Sequence, residues 1–145
     1  MKVLWIEDQE PVRDMLNIAA DKAARARVQI DLVLAHTLME AERRLRLERF
    51  DLVITELTLP DSYDGDMTIA RIANMGGHRI AVSTANPDRD KIVETAVRCG
   101  CNIAPQPVFK AGLPYNRFIQ RPEAMLDFMF DLMENAGAQS SRTAA

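Results

Sequence analysis

Cysteine and histidine are scarce, with two of each in 145 residues. Cys99 and Cys101 flank Gly100, and a C-x-C pair with no further thiol or imidazole nearby cannot complete a tetrahedral zinc site. The simpler reading is two small buried residues at a helix–strand junction. His36 and His78 stand apart from other ligand-type residues and take no functional role. Positive charge is not in excess either. A formal net charge of −3 argues against nucleic acid as a partner, because its binders usually show a basic face. Long apolar runs are missing too. One lysine and the short apolar run 3–6 before Glu7 make neither a signal peptide nor a membrane span. The expectation is a cytoplasmic protein without a membrane partner. No G-x-G-x-x-G or P-loop occurs, so the usual phosphate cradles are excluded. With no internal repeat and no linker, one domain over residues 1–136 and a disordered tail over 137–145 are expected.

What is there is ordinary for a globular chain: 48% hydrophobic and 27% charged residues. A chain of this length buries roughly 70% of the surface it exposes when unfolded. Residues 3–6 read as a strand buried on both faces. Pro11 suits a first helical turn, and Val12, Met15, Leu16 and Ala19 repeat at helical spacing. A second strand over 28–34 precedes Thr37-Leu38-Met39-Glu40, a capping box that opens a helix reaching about Arg49. The third strand spans 52–57, followed by a turn-rich stretch over 60–65. A helix over 67–75 ends at Gly76-Gly77. Strand four spans 80–83, and Asn86-Pro87 reads as the N-cap and first residue of the next helix, which Gly100 ends. A short fifth strand over 102–104 is closed by two prolines. Residues 108–121 then form a long connection of the kind that often carries function. Pro122 opens a last amphipathic helix. Five alternations of strand and helix predict an α/β, doubly wound domain with a parallel sheet and five helices.

In such a fold the strand ends converge at the carboxyl edge of the sheet, where sites are built. Four short segments meet there: Trp5-Ile6-Glu7-Asp8, Ile54-Thr55-Glu56-Leu57-Thr58-Leu59-Pro60, Val82-Ser83-Thr84-Ala85 and Ala104-Pro105-Gln106-Pro107. Together with the terminal helix, this ordered set resembles the receiver domain of bacterial response regulators (CheY-like) over residues 1–135. The resemblance implies a five-stranded flavodoxin-like sheet of order 2-1-3-4-5. It places Glu56 where the family has its phosphoacceptor Asp, and Glu7 and Asp8 in the acidic pocket. Thr84 falls on the hydroxyl residue that turns toward a bound phosphoryl group, and Gln106 on the family's lysine. The Gln106–Pro107 peptide corresponds to one that is cis in the family, and Ile103 replaces the switch aromatic. The family's Mg²⁺ ligands map onto Asp8, Glu56 and the main-chain carbonyl of Thr58.

Two of these substitutions work against the family's chemistry. Glu56 is one methylene longer than Asp, and a displacement near 1 Å costs roughly 100-fold in a positioned reaction. Gln106 can donate a hydrogen bond but carries no charge to stabilise phosphoryl oxygens. The extra methylene also disturbs the octahedral geometry Mg²⁺ demands, so a cofactor is not required although Mg²⁺ is allowed. Asp61, Asp64 and Lys110 read as solvated loop charges. The expected function is a stand-alone atypical receiver, not an enzyme, that acts in two-component or phosphorelay signalling by protein–protein interaction. Its partners would be a histidine kinase, a phosphotransfer protein or another receiver. A homodimer through the Met- and Phe-rich last helix is reasonable, and Phe109, Leu113, Tyr115 and Phe118 in the long connection would either dock a partner or fold onto the core. One alternative is a receiver that still takes phosphate, with Mg²⁺, on a surrogate aspartate. A second is a flavodoxin-like small-molecule binder, although the acidic first loop would repel a phosphate rather than cradle it.

Overall fold

The computed structural model describes the backbone of residues 1–144 and the side chains of residues 1–137. Five parallel strands, β1 (Lys2–Ile6), β2 (Asp31–Ala35), β3 (Leu52–Thr55), β4 (Ile80–Thr84) and β5 (Val108–Phe109), form one sheet in the order β2-β1-β3-β4-β5. Helices α1 (Glu10–Arg25), α2 (Leu38–Leu47), α3 (Gly65–Ala73), α4 (Arg89–Arg98), α5 (Tyr115–Gln120) and α6 (Pro122–Ala144) cover its two faces. Alternation along each strand sorts the side chains. Leu4, Ile6, Val53, Ile80 and Val82 pack with Leu38, Ala41, Ile69, Ile72 and Val93 from α2, α3 and α4. Val3, Trp5, Leu52, Ile54 and Ala81 face the other way, onto Leu16, Phe118, Met125 and Met129 from α1, α5 and α6. Both faces are covered, so the central strands read as continuous apolar runs. Among the described residues, no helix is long and apolar enough to cross a membrane.

The α/β doubly wound fold is therefore as expected, with six α-helices rather than five. The additional helix is α5. The connection expected over 108–121 is ordered: β5, a 3-10 turn over Lys110–Gly112, and α5. Its apolar residues explain why: Leu113 and Phe118 are buried in the α1–α6 layer, and the Phe118 ring lies 5.3 Å from that of Phe128. The fifth strand is displaced. Residues 102–104 contribute only a single bridge, Ile80 to Ile103. After two prolines that cannot donate to a ladder, β5 re-forms with Ser83 opposite Val108 and Thr84 opposite Phe109.

Several local expectations also change. Helix α6 carries helix past residue 136, where the sequence reading ended the domain; Ala145 lies outside the described residues, as do the side chains of 138–144. Cys99 is exposed, beside the turn at Gly100 (φ +83°), while Cys101 is partly buried and packs against the core. Asn86 does not cap α4; its Oδ1 accepts from the Asp88 amide at 2.8 Å, and the helix starts at Arg89. Thr37 caps α2 by accepting from the Glu40 amide at 3.1 Å, while the Glu40 carboxylate reaches one residue farther back, to the His36 amide at 3.3 Å. Gly65 opens α3 because a Cβ there would stand 2.8 Å from Ile92 and 3.3 Å from Leu57.

Asp61 is a second cap for α2, delivered from another loop. Its carboxylate accepts from the Leu38 amide at 2.8 Å and the Met39 amide at 2.9 Å. Burial pushes its pKa up, but those amide bonds outweigh it and hold the carboxyl below its ordinary range. Asp61→Ala is expected to cost about 1 kcal/mol, the usual worth of an N-cap carboxylate, measured by urea unfolding at neutral pH. Because the folded pKa is depressed, this contribution is present above the ordinary Asp range and is lost as pH falls through the folded value. The difference between variant and wild type shrinks in acid.

Candidate functional site

Glu7 and Glu56 each stand one residue past a strand and are held by extensions of the ladder. The Glu7 amide donates to Ala35 O at 2.8 Å and the Glu56 amide to Ile6 O at 2.9 Å. Thr84 closes β4, and its register with Phe109 puts Lys110 at the matching position beyond β5. The four side chains therefore meet at the carboxyl edge for one reason, common register in a parallel sheet. Glu7 and Thr84 are fully buried, Glu56 nearly so.

Lys110 is the centre of the arrangement. Its Nζ lies 2.9 Å from Glu7 Oε1 and 3.0 Å from Glu7 Oε2, and it also contacts Glu56 Oε2. The other Glu56 oxygen, Oε1, accepts from the Leu57 amide at 2.9 Å, the Thr58 amide at 3.2 Å and the Thr84 hydroxyl. Thr84 Oγ1 in turn accepts from the Asn86 amide at 3.1 Å. Glu7 Oε2 also accepts from the Gln9 amide at 3.1 Å. Arg13 steadies the first loop by donating to the main-chain oxygens of Glu7 at 3.1 Å and Asp8 at 2.6 Å.

The electrostatics follow from burial. Desolvation pushes the Glu7 carboxyl up, and the hydrogen bonds from Lys110 and Gln9 offset only part of it. Burial works against the Lys110 ammonium, yet hydrogen bonds to Glu56 and Glu7 outweigh it and hold Lys110 above the ordinary lysine range. Tyr115, on α5, is pushed up to about 12 by burial and by the charge of Glu7, so its hydroxyl stays protonated. That hydroxyl is buried without a hydrogen-bond partner among the described residues.

Three expectations are corrected here. The side chain that reaches the acidic pocket is Lys110, whereas Gln106, expected there, is exposed and lines a surface cleft with Pro105 and α4. The Gln106–Pro107 peptide is trans; Lys110, one residue past β5, is followed by Ala111 rather than by a proline. Lys110 is no solvated loop charge, its side chain being 11% exposed. Of the expected Mg²⁺ ligands, Asp8 is half-buried and Thr58 exposed. Among the described residues, no three acidic, histidine or cysteine side chains converge as a ligand set. The residues present do not fit a divalent cation between Glu7 and Glu56, because the ammonium already stands there and would repel it. Asp61 and Asp64, the surrogate acceptors considered above, are committed to capping α2 and α3; Asp64 accepts from the Met67 amide at 2.8 Å.

Sequence reasoning missed Lys110, Tyr115 and Arg13 as parts of the site. A signal for Lys110 existed: Val108-Phe109-Lys110 is one more apolar run ending in a polar residue.

No family model matches the sequence, and no curated protein matches it. Solved structures do. A CheY-like response regulator receiver domain from Methanospirillum hungatei JF-1 superposes with a TM-score of 0.61 at 14% identity, over 90% of this chain and 96% of that one. A two-component response regulator from Clostridium difficile gives 0.60 at 21% identity, over 88% and 96%. The signal receiver domain of the putative response regulator NarL from Mycobacterium tuberculosis gives 0.60 at 17% identity, over 88% and 94%. At such identities the likeness speaks for architecture alone, and on architecture it is consistent: this chain has the fold of a response-regulator receiver domain.

Proposed function

We propose that the chain is an atypical receiver-fold signalling module that does not take up phosphate on aspartate and acts by binding other proteins. Glu56 stands where a receiver would carry its phosphoryl group. One observation supports this most: the Thr84 hydroxyl and the Lys110 ammonium, the two groups that receivers direct at a phosphoryl group, are both bound to the Glu56 carboxylate. Neither Glu56 oxygen is free to attack a donor phosphorus, since Oε1 accepts three hydrogen bonds and Oε2 meets the ammonium. The resemblance suggests a histidine kinase, a phosphotransfer protein or a second receiver as partner, in the cytoplasm. Signal strength would then follow the amount of this protein and its binding, not its phosphorylation.

Intact-protein mass spectrometry after incubation with acetyl phosphate, with and without Mg²⁺, tests this. The native chain is expected to keep its mass. A phosphoryl gain by the native protein overturns the reading.

A further inference from the structure

We propose that Lys110 is the resident cation of the Glu7–Glu56 pocket and makes it independent of divalent metal. The inference rests on the pocket assigned above and adds how its charge is balanced. Two buried carboxylates on neighbouring strands repel, and some cation must stand between them for both to stay ionised. The Lys110 Nζ does so with near-equal contacts to both Glu7 oxygens, 2.9 and 3.0 Å, and a third contact to Glu56 Oε2. The opposite side of Glu56 cannot serve, because Oε1 is already turned onto the Leu57 and Thr58 amides and the Thr84 hydroxyl.

The ammonium is not there by chance of a flexible stem. Phe109, the preceding residue, is fixed by the β4 ladder and by Arg89, whose guanidinium lies 4.4 Å from its ring centroid. The following residues turn in a 3-10 helix that leads to buried Leu113. Lys110 thus enters the pocket from a backbone anchored on both sides. An ammonium carries one charge and three donors on a tetrahedral head. Here it donates to Glu7 Oε2 and, at 3.5 Å, to Gln9 Oε1, and stands in ion-pair contact with Glu7 Oε1 and Glu56 Oε2. A dication would bring stronger attraction and keep several of its own waters, but the ammonium at the same oxygens opposes it with a like charge.

Direct binding of Mn²⁺, a paramagnetic probe that takes the same oxygen ligands as Mg²⁺, decides the matter. Wild-type protein titrated with Mn²⁺ and followed by electron paramagnetic resonance is expected to show no saturable site dependent on Glu7 or Glu56. Lys110→Ala is expected to create one, with affinity raised by about tenfold or more once the like charge is gone, and Glu7→Gln added to it is expected to abolish the gain. If the alanine variant does not fold by circular dichroism, Lys110→Met keeps the apolar stem and removes the charge. Saturable wild-type binding that Glu7→Gln removes overturns the proposal, as does a folded Lys110 variant with no gain. Metal binding without phosphoryl uptake would sink this inference while leaving the proposed function in place; phosphoryl uptake by the native chain would sink the latter.

Discussion

Lys110→Ala is expected to lose about 3–5 kcal/mol of stability at neutral pH, the usual cost of removing one partner from a buried ion pair. Domains of this size are stable by only about 5–15 kcal/mol, so the variant sits near the edge of folding. The loss comes from what is left behind: Glu7, fully buried, and Glu56, nearly so, without the ammonium that contacts them both. The pH dependence identifies the cause. Glu7 already has a raised folded pKa, so the folded state binds the proton more tightly than the unfolded one, and stability falls as pH climbs from the ordinary carboxylate range through the folded value. Without Lys110 that window widens, and the variant should recover part of its deficit as pH drops toward 5. Wild-type protein has a second limb. The folded pKa of Lys110 is raised, so its contribution is complete below the ordinary lysine pKa and is lost as pH rises through the folded value. Urea unfolding of both proteins between about pH 5 and 9 measures the first effect, and extending the wild-type series above the ordinary lysine value of 10.5 measures the second. A deficit that does not change with pH would mean that the lysine stem, not its charge, matters.

Phe118→Ala is expected to cost a further and independent loss of about 3–5 kcal/mol, as for other buried phenylalanines. Phe118 is 1% exposed and stacks at a tilt of 59° against Phe128. Helix α5 has only six residues, far too short to persist without such an anchor. The variant should therefore fail locally first. Amide hydrogen exchange is expected to accelerate across residues 113–120 before the central strands lose protection. Because Tyr115 lies in the same short helix, its hydroxyl should titrate nearer the ordinary tyrosine range than the value of about 12 it holds in the intact fold, which ultraviolet absorbance follows. Uniform exchange across the whole chain would instead place α5 within the global folding unit.

The central sheet was legible because its causes are local. Residues 3–6, 52–57 and 80–83 are apolar runs that only a strand covered on both faces explains, and β1, β3 and β4 lie there. The Thr37 cap was legible for the same reason: donor and acceptor are three residues apart. What sequence did not show was decided over long range. Gln106-Pro107 resembles the end of a receiver's fifth strand more closely than Lys110-Ala111 does, yet register with β4 selects Lys110. Its contact with Glu7 spans 103 positions, and nothing local encodes it. Asp61 is similar: as a turn residue it looks idle, and only the approach of α2, 22 and 23 positions earlier, gives it two amides to bind. Phe118 could be read as surface or core with equal right until α5 and α6 came together.

The break in the fifth strand bears on how other molecules can approach. Ile103 bridges to β4, the chain then leaves the sheet over Pro105 and Pro107, and only Val108 and Phe109 return. Two prolines offer no amide hydrogen, so this margin is a poor template for an incoming strand, unlike the opposite edge, β2. A partner reaching this border has to read it by side chains, Phe109 beneath Arg89 above all. Recognition there would be a matter of fitted shapes and charges, with no borrowed backbone.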